Sequence, residues 1–192
     1  MDQLEFFENA QDAPPVSRTR LIAATLDFQV ELIEALSAED AERIIAISQD
    51  LDELFGPGAA FTRKTVRKYF NFPTTLPFVG RLHGTIIGFL VGVPLEYFDK
   101  ESWAQSDPQF GRHTTIYTYA FVFDENHRKT GYAKMLKRVY LNWLRKKGYL
   151  YVAGHVLEGV VARHFPNAQV LQRFPNWRNT GKVFEFYRRP LG

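Results

Sequence analysis

The 192-residue chain contains no cysteine, which excludes disulfide bonds, thiolate metal sites and a cysteine nucleophile. Long apolar runs are missing too. The longest, Thr85 to Val93, is under half of the roughly 20 residues a helix needs to cross a bilayer. The start, Met1-Asp-Gln-Leu-Glu, lacks the basic stretch of a secretory signal, so the expectation is a cytoplasmic protein with no membrane association. Carboxylates are scarce after residue 60: residues 1–60 hold 13 acidic and 3 basic side chains, whereas 61–192 hold 8 and 21. A basic C-terminal two-thirds suits a polyanion, with nucleic acid and phosphate-bearing small molecules both open, and an ordinary solvated basic face is the plainer reading.

What is present fits one domain with an extension. Residues 1–28 read as an N-terminal extension. Leu4, Phe6 and Phe7 could pack, but Gln11-Asp-Ala-Pro-Pro-Val-Ser is linker-like. In the domain proper, 29–192, Val30 to Leu36 reads as a strand. Ser37 has the chemistry of an N-cap, with Asp40 as a weak capping-box partner. The helix that follows turns Ala41, Ile44, Ile45, Leu51, Leu54 and Phe55 inward and stops at Gly56-Pro57-Gly58. A shorter helix runs from Arg63 to Phe72. Phe78 to Leu82 and Thr85 to Val93, around His83-Gly84, predict a β-hairpin, with Gly88 and Gly92 marking a bulge or a close approach. Residues 94–112 form a long loop carrying Tyr97, Phe98, Trp103 and Phe110, and this aromatic content argues for a substrate-side role over disorder.

The most informative stretch follows. Thr114 to Phe123 reads as a strand. Tyr132, Met135, Leu136, Val139, Tyr140, Trp143 and Leu144 recur at helical spacing, and Gly148 ends that helix. Between them stands Arg128-Lys-Thr-Gly131-Tyr-Ala133. A strand that enters a helix through small residues leaves first-turn N–H groups unpaired and, with the helix dipole, creates a place for a phosphate or pyrophosphate. Tyr149 to His155 is then a strand parallel to the first. A helical stretch from about Gly159 to Arg173, broken near Pro166, precedes a last strand, Val183 to Arg189.

This order, together with Arg128-x-x-Gly131-x-Ala133 and its lead-in Val122-Phe-Asp-Glu-Asn-His, resembles the GNAT superfamily of acyl-CoA-dependent N-acyltransferases over roughly residues 30–190. The resemblance implies an α/β (α+β) three-layer fold. Its central sheet is mixed and mostly antiparallel, with a parallel pair at the motif strand and the strand after it, and helices cover both faces. It further implies that backbone N–H groups of Lys129, Thr130, Gly131, Tyr132 and Ala133 hold the pyrophosphate of acetyl-CoA, the co-substrate, with Arg128 adding charge. Phe121, Val122 and Phe123 would pair with the pantetheine arm, and no metal is called for. The acceptor would be a small-molecule or peptide amine. A homodimer is compatible with the family, and nucleic acid is not the expected partner.

The chain departs from the family where the proton chemistry should be. It has no carboxylate between Arg112 and Phe123 and no tyrosine between Val152 and Phe186; Phe165 and Phe174 stand roughly where that tyrosine is expected. The substitutes are His155, Tyr119 and Glu158, each with a structural alternative, and Glu96 is a fourth candidate. Two other functions stay open: an acyl-CoA-binding module without turnover, and a nucleic-acid binder using Lys134, Lys137, Arg138, Arg145 and Lys146. A solvated helix face explains those five charges equally well.

Overall fold

The turn His83-Gly84 has both residues at positive φ (49° and 84°), the geometry of a tight hairpin turn whose twist matches its strands. It joins β3 (Leu76–Leu82) to β4 (Thr85–Pro94) near the middle of an eight-stranded sheet. The computed structural model describes residues 13–192, so the expected packing of Leu4, Phe6 and Phe7 lies outside the described residues.

The sheet also contains β1 (Arg18–Ala24), β2 (Phe28–Ala35), β5 (Thr115–Phe123), β6 (Tyr151–Leu157), β7 (Gln169–Phe174) and β8 (Phe184–Pro190), in the order β1-β2-β3-β4-β5-β6-β8-β7. All neighbours are antiparallel except β5 and β6. The helices are α1 (Ala38–Ile47), α2 (Asp50–Phe55), α3 (Arg63–Phe70), α4 (Ser102–Gln105), α5 (Tyr132–Lys146) and α6 (Val160–His164). This is the mixed, mostly antiparallel sheet with one parallel pair that the sequence implies.

Two main cores lie on the sheet. Ile44, Leu51, Phe61, Val66 and Phe70 pack with Phe89, Val91 and Val122. Leu136, Tyr140 and Leu144 of α5 pack with Phe78, Leu90, Ile116 and Val152. Each fully buried aliphatic or aromatic side chain of this kind is worth about 1.5–3 kcal/mol. The hairpin glycines make room for rings. A Cβ at Gly88 would run into Phe123, and one at Gly92 would stand 2.6 Å from the Tyr140 hydroxyl.

Several elements differ from the sequence reading. Arg18–Ala24, within the presumed extension, is an edge strand paired with β2; its pattern is only half-buried, which left no clear alternation to read. The stretch 38–55 is two helices rather than one. Ser37 does cap α1 through Asp40 N, but the Asp40 carboxylate pairs with Arg81 and Ser17 instead of completing a capping box. Only Val160–His164 of the predicted 159–173 helix is helical. Its second half is β7, because Pro166 and the positive-φ Asn167 break the chain and β8 offers a free edge. Residues 94–112 are ordered: α4 buries Trp103 and Ala104 against Tyr117 and Phe186. Arg188 pairs with the buried Asp107, which ties that segment to β8.

Candidate active site

The parallel pairing of β5 and β6 covers Thr115–Tyr117 and Tyr151–Ala153 and stops there. Past that point the two strands part, leaving the facing backbone edges of both without a ladder partner. One residue later a bulge interrupts the β4–β5 register: Val91 faces Ala120 and Gly92 faces Thr118, so Tyr119 is the extra residue. A bulge bends its strand and re-aims its side chains. Into the resulting wedge opens a cavity of about 210 Å³, lined by Tyr117 to Phe121, by Gly154 to Val156, and by Lys137, Tyr140 and Phe165.

On the α1–α3 side a second hollow of about 50 Å³ adjoins it. Phe55, Tyr117, Tyr119, Ala120 and His155 are common to both, and Phe61, Trp177 and Arg178 line the second hollow alone. Tyr119 stacks on Tyr69 with ring centroids 4.0 Å apart. Helix α2 lies over both spaces through Phe55.

His155 sits at the junction, 7% exposed, in a box of rings. It stacks on Trp177 at 4.1 Å and on Phe186 at 5.1 Å, with Trp103 edge-on at 4.8 Å. Its Nδ1 and the Tyr117 hydroxyl share a hydrogen bond of 2.8 Å. Its Nε2 is buried and has no partner among the described residues, as is the Tyr140 hydroxyl on the same cavity. Burial first, and the Arg178 charge second, push the imidazole pKa down to about 3, so His155 is neutral at physiological pH. It can exchange hydrogen bonds there but is too weak a base to take a proton from an ammonium. Burial likewise raises the Tyr117 pKa and keeps its hydroxyl protonated.

Glu158, the carboxylate the sequence singles out, is exposed at the end of β6, 3.7 Å from the Arg173 guanidinium, and lines neither space. Glu96 accepts hydrogen bonds from the Gly111 and His113 N–H groups and serves to close the 94–112 segment. Lys137, which the sequence groups with a solvated basic face, turns into the cavity instead. Its Nζ lies 4.3 Å from the Phe165 ring centroid, and burial, followed by repulsion from Arg189, lowers its pKa to about 8. No sequence signal marks it, since only the parting of β5 and β6 creates the space it enters.

The motif forms a connector of the expected kind. Asp124 accepts from Asn126 N and pairs with Arg43 of α1. Burial alone would raise the Asp124 pKa, but these hydrogen bonds outweigh it and hold the carboxyl below its ordinary value. Lys129 (φ 64°) and Gly131 (φ 92°) reverse the chain into α5, and Gly131 caps the helix without a side-chain acceptor. The first-turn N–H groups of Tyr132, Ala133 and Lys134 precede the first helical bond, Met135 N to Gly131 O. A Cβ at Gly131 would have nothing within 4 Å, so the approach to these donors is open. Nearby, Arg128 pairs with Asp50 of α2 on a groove that also includes Phe121, Val122, Phe123 and Lys182. Phe121 is 38% exposed, whereas Val122 and Phe123 are buried. Unpaired donors with a dipole behind them, next to a strand edge lacking a partner, fit a diphosphate joined to an amide-bearing arm.

Among the described residues no group of three or more His, Asp or Glu side chains could hold a metal ion, and no helix is long and apolar enough to cross a membrane.

Known structures share this architecture. The ribosomal-protein-S18-alanine N-acetyltransferase of Escherichia coli is similar over 86% of this chain and 94% of its own, with a TM-score of 0.62 and 13% identity. A GCN5-related N-acetyltransferase from Kribbella flavida aligns over 85% and 98%, with a TM-score of 0.62 and 15% identity. An N-acetyltransferase from Staphylococcus aureus Mu50 aligns over 86% and 99%, with a TM-score of 0.59 and 17% identity. At such identities the likeness concerns the fold. No curated protein sequence matches the chain. The family model for the acetyltransferase (GNAT) family matches residues 41–166, which span the bulged strand, the Arg128–Ala133 connector and His155. The chain therefore belongs to the GNAT family of N-acetyltransferases.

Proposed function

We propose that the protein transfers an acetyl group from acetyl-CoA to a primary amine by direct attack within a ternary complex. The observation that carries this reading is the early end of the β5–β6 pairing, which opens a wedge beside the unpaired N–H groups at the start of α5. In this reading the N–H groups of Lys129 to Ala133 hold the diphosphate and Arg128 adds charge. The free edge at Phe121 to Phe123 pairs with the pantetheine amides, which brings the thioester to the level of Tyr119 and His155.

The new nitrogen–carbon bond forms as the carbon–sulfur bond breaks. The amine nitrogen gives up one proton, and the departing thiolate takes one up. A backbone N–H of the bulged strand stabilises the charge that develops on the carbonyl oxygen. His155, neutral and with a free Nε2, orients the amine by hydrogen bonding, and Tyr119 borders the reacting atoms. Glu158 has no part in this scheme, since it lies outside the wedge.

The absence of a carboxylate in the wedge favours a second reading, an acetyl-CoA-binding module without turnover. Calorimetry with acetyl-CoA, alongside thiol release across a panel of amines, separates the two. Binding with amine-dependent thiol release supports the transferase. Saturable binding with no release from any amine supports the module, and no binding at all defeats both.

A further inference from the structure

The second hollow holds an unusual set of charges. Its walls are Leu51, Phe55, Phe61, Tyr119 and Trp177, and Arg178 is the one charged side chain among its lining residues. The larger cavity behind it has Lys137 and Arg189 and likewise no carboxylate. Arg43 pairs with Asp124, Arg81 with Glu31 and Asp40, Arg128 with Asp50, Arg173 with Glu185, and Arg188 with Asp107, whereas Arg67, Arg112, Arg138 and Arg189 have no salt-bridge partner among the described residues. Arg178 has no carboxylate partner among the described residues, and its guanidinium lies 5.6 Å from the Trp177 ring centroid. Glu101 accepts from the Trp103 indole N–H at 3.2 Å and does not line the hollow.

Arg178 is also held in place. It sits at φ 49°, ψ 36°, followed by Asn179 at φ 59°, a left-handed pair that costs conformational energy for residues with a Cβ. The surrounding loop fixes that conformation. Gly181 N donates to Asn176 Oδ1 at 2.8 Å, the Thr180 hydroxyl to Trp177 O at 2.7 Å, and Trp177 N to Lys182 O at 3.2 Å. Thr180 packs so closely on Gly56 that a Cβ there would meet its methyl at 2.9 Å, and Lys182 Nζ donates to Glu53 O at 2.6 Å. A strained, tightly bonded turn thus fixes the backbone at Arg178, whose exposed side chain lines an aromatic hollow together with His155, the imidazole with the buried, unpartnered Nε2.

We infer that the acceptor is a small amine that itself carries a carboxylate, a free amino acid, with its carboxylate on Arg178 and its body against Trp177 and Phe61. This inference rests on the transferase reading and names its substrate class. A polyamine or another polycation would meet Arg178, Lys137 and Arg189 with no anion to offset them. The carboxylate of an amino acid instead forms a charge-assisted pair with the guanidinium. The same cations disfavour the ammonium form of the bound amine, which promotes the neutral nucleophile where no carboxylate base is at hand.

The test compares thiol release from acetyl-CoA with matched pairs: alanine and ethylamine, leucine and isoamylamine, phenylalanine and phenethylamine. Leucinamide and spermidine complete the panel, and the wild-type chain and Arg178→Gln are both assayed. At least one amino acid is expected to exceed its decarboxylated partner and its amide about tenfold or more in kcat/KM, with that ratio falling about tenfold in the variant. Equal or better turnover of spermidine or of the decarboxylated amines overturns the inference, as does a ratio unchanged by Arg178→Gln. If no amine releases thiol, the transferase reading fails, and the anion preference is decided without turnover. Quenching of tryptophan fluorescence by N-acetylleucine and N-acetylphenylalanine is then compared with quenching by N-acetylisoamylamine and N-acetylphenethylamine. Tighter binding of the acids, lost in Arg178→Gln, upholds the anion preference, and equal binding overturns it.

Discussion

The Tyr117 hydroxyl and Nδ1 of His155 share a buried hydrogen bond of 2.8 Å where β5 and β6 separate, since Tyr117 belongs to the last paired position of the two strands. Burial among the surrounding rings, and after it the Arg178 charge, holds the imidazole neutral, with a pKa near 3 against an ordinary 6.5. The His155 ring signals are therefore expected to stay unshifted in NMR spectra between pH 5 and 8; titration near 6.5 would refute this environment. Linkage adds a second readout. Because the folded pKa lies below the unfolded one, the unfolded chain takes up the proton first, and stability falls as pH drops from about 6.5 towards 3. His155→Phe, which keeps a ring in the box, should lose less stability over that window in denaturant titrations.

Gly131 lies at φ 92° with open space where a side chain would stand, directly in front of the first-turn N–H groups of α5. Gly131→Glu puts bulk and negative charge there, in a backbone conformation that L residues adopt at a cost. Acetyl-CoA binding by calorimetry should weaken by at least about 100-fold while the folded spectrum is kept, since repulsion between two anions in close contact exceeds RT several times over. Unchanged affinity would remove the diphosphate from this connector.

The Arg128 charge is engaged by Asp50 on α2. An incoming diphosphate competes with that carboxylate for the same guanidinium. The pair is half-exposed, where such contacts are worth about 0–1 kcal/mol. Asp50→Asn is thus expected to tighten acetyl-CoA binding about two- to fivefold at low ionic strength, a gain that fades in high salt. Weaker binding in the variant would mean that Asp50 positions Arg128 for the coenzyme and does not compete with it.

Lys137 carries its amine into a cavity lined by Phe165, Tyr187 and Arg189, and its pKa falls from 10.5 to about 8. The folded pKa lies below the unfolded one, so the charged lysine costs stability in full below about pH 8. That cost is relieved as pH rises towards 10.5, where both states are neutral. Lys137→Met should raise Tm at pH 7 and lose most of that advantage by about pH 10.5. An equal gain at both pH values would assign the effect to packing and not to the charge.

The fold was legible wherever one residue type carries a local mechanism. Ser37 caps its helix, His83-Gly84 turns the hairpin, and Gly131 begins α5. Strand β1 and strand β7 were not legible. Each lies at an edge with a mixed burial pattern, and its strand character comes from the neighbour it pairs with, β2 and β8 respectively. In the candidate site, His155 and Tyr119 could be singled out because they stand on strands flanking the motif. Lys137, Trp177 and Arg178 could not, because they reach the wedge from α5 and from a loop near the C-terminal end of the chain.

By itself the sequence determined the connector Arg128 to Ala133, its helix and the strand before it, since backbone conformation there follows from the glycine, the small residues and the apolar periodicity. Tertiary structure alone decided the surroundings of the reacting atoms. Packing among Trp103, Trp177 and Phe186 leaves His155 neutral, the parting of β5 from β6 opens the cavity that Lys137 enters, and Glu158 stays in solvent beside Arg173. Protonation state and charge balance depend on what lies across a gap from each group, and that is set by how the sheet opens, which no local run of residues encodes.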